Sequence, residues 1–86
     1  MITITLCLSE SLLSIFRDMG RPLEETIVIQ AASGITALEV MAGQGINPLL
    51  VPMMAVKTQD GTCRIDRDTA FKTDVELIFY GPLAGG

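Results

Sequence analysis

Few groups in this 86-residue chain are equipped for chemistry. Histidine is absent, so the commonest general base and the commonest metal ligand are both missing. The two cysteines, Cys7 and Cys63, form no C-x-x-C pair and belong to no metal-cluster spacing. Each sits in a predicted strand and is expected to be structural. No glycine-rich phosphate loop is present, so an ATP site of the chain's own is not expected. What remains is the carboxylate at the end of "YGPLAGG", carried by Gly86 behind Gly85. Two terminal glycines arise by chance in about one chain in two hundred. They read either as a frayed end or as an unobstructed arm that presents a reactive carboxylate.

Something must hold such an arm. The length allows one domain, with residues 1–80 as its body and 81–86 as a flexible tail. Hydrophobic residues make up 49% of the chain and charged residues 19%, which excludes a disordered segment. Part of the apolar surface is expected to stay outside the core and meet a partner. The net charge of −4 argues against nucleic acid or anionic lipid and suits a basic protein partner. The opening residues lack the pattern of a signal peptide. The longest apolar run, residues 46–56, contains Asn47, Pro48 and Pro52 and is too short to span a bilayer. A cytoplasmic domain without membrane contact is the expectation.

The elements can be read from periodicity. "MITITLCLSE" alternates, with Ile2, Ile4, Leu6 and Leu8 on one face and Thr3, Thr5 and Cys7 on the other. The period then changes: Leu12, Ile15, Phe16 and Met19 fit a short helix, with Ser9 or Ser11 as cap and Gly20 as stop. "EETIVIQ" reads as a second strand. Thr36 and Glu39 have the spacing of a capping box, Ile35 can staple onto Val40, and Leu38, Met41 and Ala42 would form the buried stripe of the main helix. Gly43 or Gly45 ends it. "NPLLVP" is a tight or 3₁₀ turn. "MMAVKT" and "TCRI" form a hairpin around Asp60-Gly61. A polar loop closed by Phe71 follows, then a last strand, "VELIFY".

Strands flanking a capped helix predict an α+β fold, a mixed sheet of four to five strands with one main helix on one face. The first and last strands can pair in parallel at its centre, because the middle of the chain supplies the long connection. This is a β-grasp arrangement. It places Ile78 and Tyr80 on the helix-free face, beside Thr3, Thr5 and Cys7, as a candidate partner interface.

A β-grasp domain that ends P-x-A-G-G directly after its last strand resembles the MoaD/ThiS family of ubiquitin-like sulfur carriers. "FRDMG" sits where molybdopterin-type members have an R-E-L-x-G-like turn. "TALEVMAGQGI" is similar to the family's T-x-x-x-L-L helix, and "DTAFKTDVELIFYGPLAGG" to its ending. Three stretches depart from the pattern. Thr73-Asp74 replaces an Asp-Gly-Asp turn, Tyr80-Gly81-Pro82 stands where two prolines are common, and "TQDG" replaces V-N-G.

The resemblance implies that a separate ATP-dependent adenylylating enzyme of the ubiquitin-activating type activates Gly86. A persulfide donor would then convert the adenylate into a thiocarboxylate, a soft nucleophile. Gly81, Pro82, Leu83, Ala84 and Gly85 would be the arm inserted into the partner, reaching roughly 20 Å when extended. No cofactor would be bound, ATP being used by the activating partner. The acceptor would be the large subunit of a molybdopterin-synthase-like complex, this chain being its small, non-catalytic subunit. A carrier for thiamin or another sulfur metabolite, a ubiquitin-like protein modifier, and a plain β-grasp interaction module remain alternatives.

Overall fold

The computed structural model describes residues 1–82. Strand β1 (Ile2–Leu8) runs into helix α1 (Glu10–Asp18), and β2 (Thr26–Ala31) returns beside β1. A two-residue strand β3 (Ile35–Thr36) leads into helix α2 (Ala37–Gln44), and a 3₁₀ turn (Pro48–Leu50) leads out of it. Strands β4 (Met53–Thr58), β5 (Gly61–Ile65), β6 (Ala70–Phe71) and β7 (Val75–Tyr80) complete the order. Five strands form one mixed sheet in the order β2-β1-β7-β4-β5, and β3 pairs with β6 in a small second sheet. This is an α+β fold of β-grasp-like architecture, as the strand and helix pattern predicts.

The central pair, β1 and β7, is parallel, with Leu6 opposite Leu77 and Leu8 opposite Phe79. The other pairs in the sheet are antiparallel. Parallel neighbours need a long crossover, and the crossover here is everything between Ser9 and Asp74. One core cluster collects Ile4, Leu6, Leu77 and Phe79 from the central strands with Leu12 and Phe16 of α1 and Val40 and Met41 of α2. Both helices therefore pack on the same sheet face, where a single main helix was expected, and α1 at nine residues is slightly longer than α2 at eight.

The helices are phased differently from the expected stripes. In α1 the buried residues are Leu12, Leu13 and Phe16, with Met19 outside the helix as C-cap and 56% exposed. In α2 they are Ala37, Val40 and Met41, while Leu38 is exposed and Ala42 lies on the same outer side. In both helices the buried positions are those that meet the central strands, whose Ile4, Leu6, Leu77 and Phe79 share one core cluster with them.

Local chemistry stops each element. The Thr36–Glu39 capping box forms, with Thr36 Oγ1 accepting from Glu39 N at 3.2 Å and Glu39 Oε1 accepting from Thr36 N at 3.1 Å. Gly45 closes α2 in the left-handed conformation, φ 69°, which only glycine adopts without strain. Arg21 adds a cation at this C-terminus, its guanidinium donating to Gly45 O at 3.1 Å and lying 5.7 Å from the Phe16 ring centre. The β4–β5 turn is Gln59-Asp60, with Gly61 already paired to Thr58 as the first residue of β5. Phe71 is buried, as expected of the polar loop's closing residue.

The capping box gives a direct test. Thr36→Ala is expected to cost about 1 kcal/mol, read as a lower urea midpoint with an unchanged slope.

Candidate functional site

The outlet of the last strand lies where β1, α1 and β7 meet. Ser9 is the hinge of this junction. Its backbone N donates to Phe79 O at 3.0 Å, the next rung of the parallel ladder, but its carbonyl is taken by Leu13 N at 3.0 Å to start α1. The following rung is made by the side chain instead: Gly81 N donates to Ser9 Oγ at 2.9 Å. The same oxygen accepts from Leu12 N at 3.4 Å as the helix N-cap and lies 3.2 Å from Ser11 Oγ.

Gly81 is buried. A Cβ there would sit 2.8 Å from both Leu12 N and Ser11 Oγ. Gly81, the first residue of the expected flexible tail, is thus bonded to and packed on the body. Pro82 is exposed and is the last described residue. The candidate residues Leu83, Ala84, Gly85 and Gly86 lie outside the described residues.

Ile78 and Tyr80 lie on the face opposite the core, both half-buried. Alternation along β7 dictates this, since Leu77 and Phe79 are fully buried on the other side. The register gives their neighbours. Ile78 lies between Cys7 of β1 and Ala55 of β4, and Tyr80 lies opposite Met53. Thr5 lies opposite Glu76 instead, and Thr3 N donates to Asp74 Oδ1 at 2.8 Å. Lys57 pairs with Glu76 at 3.9 Å. The open face is thus divided: polar where β7 begins, apolar where it ends. Ala55 is 4% exposed yet stands apart from the main core cluster, because Ile78 and its neighbours cover it from the open side.

Met53 and Ala55 were not among the expected interface residues. Their alternation with Met54 and Val56 was legible, but only the β4–β7 register places them beside Tyr80 and Ile78. Ser9, Ser11, Pro52, Met53, Tyr80 and Gly81 line a mainly apolar cleft of about 270 Å³ at the outlet. Both cysteines are free: Cys7 is half-buried on the open face and Cys63 is exposed on the edge strand β5. Among the described residues no cluster of His, Cys, Asp or Glu suits a metal ion, and no helix is long and apolar enough to cross a membrane. The chain matches no family model, and no curated protein matches it significantly.

The opposite faces of β7 predict opposite sensitivities. Phe79→Ala should destabilise the isolated domain by about 3–5 kcal/mol. Tyr80→Ala should cost no more than about 1 kcal/mol of stability, both measured by urea denaturation.

Proposed function

We propose that this chain is a ubiquitin-like sulfur carrier that delivers sulfur for cofactor biosynthesis, with molybdopterin as the first product class. An adenylylating enzyme of the ubiquitin-activating type supplies the ATP site. The Gly86 carboxylate attacks the α-phosphorus of ATP, pyrophosphate leaves, and the acyl-adenylate is the activated form. The terminal sulfur of a donor persulfide then attacks the acyl carbon, and AMP departs with the bonding electrons. A second thiol attacks the donor's sulfur in the resulting acyl disulfide, releasing a donor disulfide and the thiocarboxylate on Gly86.

The observation that carries this reading is where the last strand ends. The P-L-A-G-G ending follows directly from a central strand, and that strand reaches its outlet beside the apolar half of an uncovered sheet face. A partner seated on Ile78, Tyr80, Met53 and Ala55 would meet Gly81, from which the carboxyl arm departs, at the edge of the same contact. Aromatic and Met side chains are enriched at the centres of such interfaces. The helix between β1 and β2 agrees with the molybdopterin-type resemblance, whose acceptor is a large synthase subunit.

Gly86 is expected to be indispensable. Incubated with the activating enzyme, ATP and a persulfide donor, the intact chain should gain the mass difference of one oxygen-to-sulfur exchange. A chain lacking Gly86, or extended beyond it, should gain nothing while keeping its melting temperature. Equal loading of the shortened chain would sink the reading, and attachment to lysines in place of sulfur would mark a protein modifier.

Neither cysteine is expected to carry the sulfur. A Cys7→Ser, Cys63→Ser double variant should load as the wild type does. An intact fold that no longer loads would indicate a persulfide relay through a thiol of the chain.

A further inference from the structure

We infer that Ser9 and Gly81 form a positioning clamp that sets where and in which direction the C-terminal arm leaves the body. The inference rests on the carrier reading for its purpose, but its geometry is independent of that reading.

A parallel ladder would normally use the Ser9 carbonyl to accept from Gly81 N. That carbonyl is committed to Leu13 N, so the ladder would end one rung early. The Ser9 hydroxyl replaces it, 2.9 Å from Gly81 N. The substitution needs a short side chain with an acceptor one bond beyond Cβ, which limits the position to a few residue types. The second half of the clamp is steric. Gly81 packs so closely on the first turn of α1 that a Cβ would lie 2.8 Å from Leu12 N and 3.0 Å from Leu12 Cα, both backbone atoms. Close approach requires the glycine here, since its φ is not in the positive range. A proline at 81 would have no N–H for Ser9 to accept from.

An arm whose first residue is held presents fewer directions to an incoming partner, so less ordering is left to do on insertion. The clamp should therefore act on productive encounter and leave the chemistry after insertion unchanged.

The test uses the full chain and an adenylylating enzyme of the ubiquitin-activating type from the same organism, with ATP–pyrophosphate exchange measured against chain concentration. Gly81→Ala and Ser9→Ala should raise KM for the chain about tenfold and leave kcat within about twofold. Ser9→Thr, which keeps the hydroxyl, and Thr36→Ala, which loses a cap of similar worth elsewhere, should stay within about twofold of wild type in both constants. Hydrogen exchange supplies a readout that needs no enzyme. The Gly81 amide should be protected in the wild type and in Ser9→Thr, and should exchange freely in Ser9→Ala.

An unchanged KM in Gly81→Ala and Ser9→Ala, with the wild type active, overturns the positioning role alone. An equal rise in Thr36→Ala overturns it too, because general destabilisation would then account for the effect. A freely exchanging Gly81 amide in the wild type overturns the clamp itself. A wild-type chain that supports no exchange of pyrophosphate overturns the carrier reading and, with it, the purpose assigned to the clamp.

Discussion

The parallel pairing of β1 with β7 is the constraint on which the rest of the structure depends. It brings the first and last strands side by side at the sheet centre, so everything between them must serve as crossover. Both helices arise in that crossover and both pack on one face, where Leu12, Phe16, Val40 and Met41 close over Ile4, Leu6, Leu77 and Phe79. Among the described residues, neither helix packs on the other face. Because strand side chains alternate, the burial of Leu77 and Phe79 commits Ile78 and Tyr80 to that open face. An open apolar strip and an outlet thus follow from the same pairing that makes the core.

The junction at Ser9 shows how closely the fold and the outlet are joined. One residue ends a strand, caps a helix and holds the departing chain, using its N–H, its carbonyl and its hydroxyl for three different partners. Each bond alone is worth little, a net contribution of about 1 kcal/mol. Their convergence matters more, since moving Ser9 for one purpose disturbs the other two. Arg21 joins the two helices at the opposite end by a comparable economy, packing on Phe16 while its guanidinium serves the last carbonyls of α2.

Much of this was legible in the chain, for local reasons. The alternation of β1 and β7, the Thr36–Glu39 box and the Gly45 stop depend on residues a few positions apart, and they form as their spacing implies. Errors appear where distant partners decide. Leu38 and Ala42 looked buried by period, but packing against the sheet takes Ala37, Val40 and Met41 instead. Strands β3 and β6 are two residues each, too short for any alternation, and exist only because Ile35 meets Phe71 across the fold. Met53 and Ala55 join the open apolar patch through a register that no local pattern reveals. The double duty of Ser9 was half visible: its role as cap could be read, but its hold on Gly81 requires the parallel ladder.

As a sulfur carrier, the chain would bear a thiocarboxylate in place of the carboxylate of Gly86. The most direct measurement is intact-mass and fragment analysis of the chain purified from its own cells, carrying only an N-terminal tag. A fraction should be heavier by the difference between one sulfur and one oxygen, with the added mass confined to the C-terminal fragment that contains Gly86. A chain found only with an unaltered carboxylate, or with the sulfur mapped to Cys7 or Cys63, would contradict it.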